Sequence, residues 1–363
     1  MKHSERIEAL QKELKRCGFK AALIVGNVNR QYLTYAGIGA GCLLVTEEEA
    51  VFFTDSRFTD HAREKVRGCK VCCAEQPLEA AAGQVRRMEL KSCSLEYEVL
   101  SVSQYMKIRK MLPNVKFDPA EGIDGILADM RRKKDFYEIK CLKQAQQIGD
   151  QAYLHMLEFI RPGMMESEVR MELGTCMVKF GSENYGMNFI TCTGKKTSYP
   201  HGGSGDDKIL EGNFVMMDFG GMIDGYSADM TRTLAVGYAD EQMRQVYDTV
   251  KHAQELGLSL LKPGVTGQSV HMAVLDYIER SGYPGCFSHG LGHSLGLEIH
   301  ENPRCNTQDT SVLEAGEMMT VEPGIYLEGK FGVRIEDMGI LIPGGFDNFT
   351  ASTKELIVLH PKQ

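Results

Sequence analysis

Four acids stand where acids are costly. Asp218 lies in the apolar run FVMMDF (214–219) and Glu322 in MMTVEP (318–323), with Asp229 and Glu336 a short way beyond each. A carboxylate placed in such a strand loses hydration unless a cation or a proton compensates it. One acid of this kind reads as a structural ion pair. Four at duplicated positions point to a shared cation site. The remaining ligand is sought among the histidines. His289 and His293 stand four apart in HGLGH, yet Gly290 and Gly292 weaken a helix and no Glu follows His289, so the HExxH pattern of zinc proteases fails. A glycine-lined strand or loop giving one imidazole to a metal fits better. Four carboxylates and an imidazole come close to neutralising two divalent ions, and an oxygen-rich set suits manganese or cobalt better than a structural zinc. Two ions about 3.5–4 Å apart can bridge a water and hold it as hydroxide. The chemistry expected is hydrolysis.

Competing signatures are weak. Gly37-Ile-Gly39-Ala-Gly41 lacks the spacing of GxGxxG and reads as a loop, and the chain has no GxSxG, P-loop or HRD set. Cys69 and Cys72 form a CxxC followed by Cys73, but a structural zinc site needs a second pair.

The acids are duplicated because the chain around them is. FIRPGMMESEVRMEL (159–173) is matched by LLKPGVTGQSVHMAV (260–274), each starting a helix after Pro-Gly. LEGNFVMMDFG (210–220) is matched by LEAGEMMTVEPG (313–324), and GYSAD (225–229) by GVRIE (332–336). Each repeat, about 137–238 and 239–345, reads as helices followed by a β-hairpin carrying two acids.

Ahead of the repeats the pattern is α/β. Residues 4–16 carry helical periodicity, Ala21–Val25 is a short buried strand, and Cys42–Thr46 and Ala50–Thr54 are two more with Glu47–Glu49 as the turn. Residues 59–67 and 102–111 read as helices, the second stopped by Pro113. Charge then concentrates in RRKKD (131–135), the expected hinge, and a helix runs from Tyr137 to about Ile160 before Pro162-Gly163. Two domains are expected, 1–128 and 129–363, as the length of 363 residues also suggests.

Composition narrows the class. Hydrophobic residues make up 43 % and charged ones 25 %, which are globular values. Lys and Arg total 41 against 49 Asp and Glu, a net charge of -8 that argues against nucleic acid or an anionic membrane as partner. The start, MKHSERIEALQKEL, lacks the apolar run of a signal peptide, and no later segment approaches a membrane span. Eleven cysteines without framework spacing suggest a reducing cytoplasm.

At PHG (200–202), MDFGGMIDGYSADMTRT (217–233), SHGLGHSLGLEIHENP (288–303), VEPGIY (321–326) and GVRIEDM (332–338), the chain resembles the prolidase, Xaa-Pro aminopeptidase and methionine aminopeptidase superfamily. NRQYLTYAG (29–37) and TDSRFTDHA (54–62) resemble the creatinase-type N-terminal domain, which favours the proline-directed branch. Phe58 and Tyr35 depart from that pattern and touch no proposed ligand. The resemblance implies an α/β (α+β) chain, a creatinase-like domain followed by a duplicated pita-bread metallopeptidase domain.

Carried over, it implies Asp218 on one metal, His293 and Glu322 on the other, and Asp229 and Glu336 bridging them. His201, His289 and His300 would line the pocket for substrate binding or proton transfer, with Glu322 shuttling a proton. Tyr326 and Arg334 would stand beside ligands and substrate as orienting groups, and Arg304 would bind a substrate carboxylate. The cofactors implied are two divalent ions, manganese first, with cobalt or zinc as alternatives. The substrates implied are short peptides with proline second, cut by a homodimer. A creatinase-like hydrolase of a small non-peptide substrate, which works without metal, and a catalytically silent binding module are the alternatives; both imply lost ligands, and all five positions keep theirs. Dipeptidase and aminopeptidase stay open.

Overall fold

The strand AALI is buried along its whole length, as expected of a strand covered on both faces. It is an interior strand of a six-stranded sheet in a computed structural model that describes residues 5–117, 122–186 and 188–360. The chain divides into two compact units, Met1–Arg131 and Arg132–Gln363.

The first unit runs α1 (Glu5–Cys17), β1 (Ala21–Ile24), α2 (Asn27–Thr34), β2 (Cys42–Thr46), β3 (Ala50–Thr54), α3 (Thr59–Lys65), β4 (Lys70–Cys73), α4 (Pro77–Arg87), β5 (Ser92–Leu95), α5 (Val102–Met111), β6 (Lys116–Phe117) and α6 (Asp124–Arg132). Its strands lie in the order β4-β3-β2-β1-β5-β6. β1, β2 and β3 pair antiparallel, while β4, β5 and β6 join parallel through helical crossovers. The three strands and three helices read from the sequence are all present; Ser4 lies outside the described residues. On α1 the buried Ile7, Leu10 and Leu14 recur at helical spacing and seat it on the sheet.

The second unit opens on α7 (Phe136–Phe159), started by a capping box in which Asp135 accepts from the Glu138 N–H and the Glu138 carboxylate accepts from the Asp135 N–H, each at 3.0 Å. The charge run before it is not a solvated stretch. Arg132 Nε donates to Glu317 at 2.8 Å, Lys133 pairs with Glu314 at 2.7 Å, and Lys134 pairs with Glu301 at 2.9 Å. The division between the units falls inside the run.

The unit continues with α8 (Glu166–Lys179), β7 (Ile190–Thr193), β8 (Phe214–Phe219), the short β9 (Met222–Ile223) and β10 (Tyr226–Ser227), and β11 (Met230–Val236). A second set follows: α9 (Glu241–Leu260), α10 (Gly267–Arg280), β12 (Gly292–Ser294), β13 (Glu301–Cys305), β14 (Met318–Val321), β15 (Gly324–Leu327), β16 (Phe331–Arg334), β17 (Asp337–Ile342), β18 (Gly345–Asn348) and β19 (Val358–Leu359). β7, β8 and β11 form one antiparallel sheet with β19 added at its edge; β14, β17 and β18 form another. α9 packs its apolar face on β14 and β15, and α10 packs against α9 and β13, around Val250, Val274 and Val321.

No helix among the described residues is long and apolar enough to cross a membrane. All eleven cysteines are free.

Candidate metal centre

One acid sits within a strand and the other three in links just beyond one. Asp218 is in β8, opposite Thr231 of β11. Asp229 lies in the link between β10 and β11, Glu322 one residue past β14, and Glu336 in the link between β16 and β17. Glu322 was expected inside its strand; the strand stops at Val321, and Glu322 lies in the two-residue link before β15 with its carboxylate facing a cavity. His293 is central in the three-residue strand β12, and HGLGH forms no helix. β12 runs so close to β14 that a Cβ on Gly292 would stand 2.0 Å from the Thr320 carbonyl oxygen, so only glycine admits this approach. The register shifts between His293 and Ser294, a bulge that re-aims the imidazole.

Asp229, His293 and Glu336 each offer one ligand atom within 4.8 Å of the others. His293 Nδ1 donates to the Ser294 carbonyl at 3.0 Å, which leaves the Nε2 lone pair facing Glu322 Oε1 at 3.6 Å and Asp229 Oδ2 at 3.8 Å. Glu336 is buried; its Oε2 accepts from Thr231 Oγ1 at 2.8 Å and its Oε1 has no hydrogen-bond partner. Asp218 pairs with Arg334 Nη2.

Burial and mutual repulsion act on these acids together. Burial, with Asp218 and Glu322 beside it, raises the Asp229 carboxyl well above the usual range. Burial raises Glu336 likewise, with Asp229 the next cause. Glu322 is pushed up to about 8 by burial, against the nearby Arg334. Burial holds the His293 imidazole neutral, down to about 3. An orphaned buried oxygen, a neutral imidazole lone pair and acids that retain protons for want of positive charge make a donor set that fits divalent cations.

The acids open into a cavity of about 720 Å³. His201, His289, His300, Arg304 and Arg334 line it too, beside apolar walls that include Phe189, Ile190, Leu297 and Ile299. His300 packs its ring 4.4 Å from that of His293, and His201 is exposed to the cavity. Arg304 comes from an outward-facing position of β13.

Three expected substrate contacts turn out to be engaged with protein. His289 donates from Nδ1 to the Gly290 carbonyl at 2.8 Å and accepts at Nε2 from Tyr326 Oη at 2.8 Å, so neither ring nitrogen faces the cavity free. Burial brings its pKa down to about 4. Tyr326 is buried behind His289, and Arg334 Nη1 donates to its hydroxyl at 3.0 Å. Arg334 further donates to Thr231 Oγ1 at 3.0 Å and the Pro200 carbonyl at 2.9 Å. These groups hold Asp218 and the cavity wall, while His201, His300 and Arg304 line the cavity.

Sequence reasoning missed Thr231 and the buried pair of Lys134 with Glu301, which fixes the β12–β13 turn between His293 and His300. The signal for Thr231 was available: a polar residue facing the same side as Asp218 within a fully buried strand.

Residues 140–342 match metallopeptidase family M24, and residues 6–132 match the creatinase/prolidase N-terminal domain. The chain therefore belongs to metallopeptidase family M24. It is a metallopeptidase with the pita-bread fold, carried behind a creatinase-type N-terminal domain. It is 30 % identical over 357 residues to the Xaa-Pro dipeptidase of Pyrococcus horikoshii, covering 98 % of this chain and 99 % of that one. The structure of an Xaa-Pro dipeptidase from Bacillus anthracis superposes with a TM-score of 0.94 at 36 % identity, covering 98 % of this chain and all of that one (100 %). An X-Pro aminopeptidase from Thermotoga maritima matches with a TM-score of 0.89 at 32 % identity, covering 95 % and 99 %.

Proposed function

We propose that the protein hydrolyses the bond between an N-terminal residue and proline in short peptides, using two divalent ions, manganese first. The observation that carries this reading is the convergence of Asp229, His293 and Glu336, flanked by Asp218 and Glu322, on the floor of the cavity. Asp218 and Asp229 would hold one ion, His293 and Glu322 the other, with Asp229 and Glu336 shared. A pair of divalent ions there supplies an acidified water and a Lewis acid for the scissile carbonyl.

The chain's own residues do the rest. His201 and His300 donate to the carbonyl oxygen as charge builds on it. Glu322, half-buried and open to the cavity, carries a proton from the water to the leaving proline nitrogen. That nitrogen belongs to a tertiary amide with no N–H to grip, so recognition falls to the substrate's ends and to the apolar walls. Arg304 at the rim offers a planar fork for a free C-terminal carboxylate, which favours dipeptides. The retained acid cluster speaks against a metal-free creatinase-like hydrolase and a silent binding module. The same reading takes the working form as a homodimer in the cytoplasm, in keeping with eleven free thiols.

The test is release of proline from Ala-Pro or Met-Pro by metal-stripped protein, before and after addition of manganese. Activity restored by manganese supports the reading. No hydrolysis of either peptide with manganese, cobalt or zinc overturns it.

A further inference from the structure

The loop that carries His201 is held near both ends by a single side chain. Glu166, the first residue of α8, is fully buried and is not among the residues lining the cavity. Its Oε1 accepts from the Thr193 N–H at 2.7 Å, where the chain leaves β7. Its Oε2 accepts from the Gly205 N–H at 2.9 Å, four residues past His201. The same oxygen takes a charged hydrogen bond from Lys196 Nζ at 2.6 Å, and Lys196 also pairs with Asp207. Backbone bonds reinforce the contact: the Glu166 N–H donates to Asp207 at 3.0 Å and the Ser167 N–H to Gly205 at 2.9 Å. A buried carboxylate is retained only when partners meet its charge, and here every partner belongs to this one loop.

What happens at the pinned ends reaches the middle. The Pro200 carbonyl accepts from Arg334 at 2.9 Å, and Thr197 Oγ1 accepts from the Gly332 N–H at 2.8 Å. Gly202 lies so close to Cys192 that a Cβ there would stand 2.9 Å from the sulfur. Residues on either side of His201 are thus fixed in close contact, while its ring is exposed to the cavity. Sliding the ends would move the ring.

We propose that Glu166, closed by Lys196, is a positioning residue that sets the place of His201 over the substrate. The proposal rests on the substrate-facing role given to His201 above. It differs from a purely structural role for Glu166 in one respect: its effect on turnover must pass through His201.

A double-mutant cycle tests this. kcat/KM for Ala-Pro is measured for Glu166→Gln, His201→Ala and the double variant, all loaded with manganese, alongside bound metal by elemental analysis and Tm. Gln keeps the size of the side chain but loses the charge and one acceptor. Glu166→Gln should lower kcat/KM about tenfold and His201→Ala about a hundredfold, with metal content unchanged. The double variant should fall no lower than His201→Ala alone, while the loss of Tm from Glu166→Gln stays the same in both backgrounds. If Glu166→Gln lowers kcat/KM by the same factor with and without His201, the proposal is overturned and the role of His201 stands. If His201→Ala turns over like the parent, the role of His201 fails first and takes the proposal with it. Should Glu166→Gln not fold, Lys196→Gln leaves both backbone contacts of Glu166 in place and carries the same cycle, with the same outcomes deciding.

Discussion

Thr231 Oγ1 lies 2.8 Å from Glu336 Oε2, and its proton goes to that carboxylate because the same oxygen accepts from Arg334 Nε at 3.0 Å. One hydroxyl thereby fixes the rotation of Glu336 and leaves Oε1 turned into the cluster. Thr231→Val keeps the shape and removes both bonds. It should weaken manganese binding about tenfold to a hundredfold, as loss of ligand-orienting partners does. Titration of the stripped protein with manganese checks this; unchanged affinity would contradict the orientation described.

Glu336 itself should behave in opposite ways with and without metal. Its carboxyl is raised well above the usual range by burial and by Asp229, so the folded protein favours its protonated form. Stability linked to that proton is full below the unfolded value of about 4.5 and is lost as pH rises toward the folded value. A neutral amide escapes the loss. Glu336→Gln should therefore raise Tm at pH 7.5 when metal is absent, yet lose activity and the rise of Tm that saturating manganese gives the parent protein. A variant whose Tm still climbs with manganese as the parent's does would remove Glu336 from the ligands.

A buried histidine behind the site sets an acid limit. His271 of α10 is 4 % exposed, accepts at Nδ1 from the Leu291 N–H at 3.2 Å and packs against Phe287. Burial lowers its pKa from 6.5. The neutral form is the folded one, so its contribution is complete above about pH 6.5 and is lost as pH falls toward the folded value, with a slope of at most about 1.4 kcal/mol per pH unit. Denaturant unfolding in excess chelator should show this slope between pH 6.5 and 5.5. His271→Gln should flatten it, and an equal slope in the variant would show that His271 stays charged or exposed.

On the proposed reading, substrate length is read at Arg304. A dipeptide places its carboxylate one residue beyond the scissile bond, where a longer peptide has a neutral amide. Losing a charge-assisted pair costs about 1.5–3 kcal/mol, so Arg304→Ala should lower kcat/KM for Ala-Pro about tenfold to more than a hundredfold and affect Ala-Pro-Ala-Ala little. Equal losses on both peptides would favour an aminopeptidase.

The parts legible in the sequence were those whose signal is local. FVMMDF is a strand because of its apolar run, and an acid inside it announces itself by being out of place. Helix starts after Pro-Gly were legible for the same reason, as at Glu166 of α8 and Gly267 of α10. The contacts that tune the site escaped because their partners are far apart in the chain. Nothing in RRKKD tells a hinge from three charges consumed by Glu317, Glu314 and Glu301, since those acids lie more than 160 residues away. Glu166 looks like an ordinary acid at a helix start until the fold buries it against Thr193 and Gly205. His289 looked the equal of His201 and His300, and only the position of Tyr326 shows that its ring is already occupied.

The side chains proposed as ligands come from both sides of one seam: Asp218 and Asp229 from the chain before α9, His293, Glu322 and Glu336 from the chain after it. Protein atoms bridge the seam beside the acids as well: the Glu336 N–H donates to the Thr231 carbonyl at 3.0 Å, Arg334 pairs with Asp218, and Arg232 pairs with Asp337 at 2.7 Å. An ion seated between the two sides is then a fastener as well as a reagent. Deprived of it, the acids meet across the seam with only protons to offset their repulsion, and the chain opens there more often. Opened chains are what cellular proteases cut, so the lifetime of this protein in the cell should follow the supply of its metal.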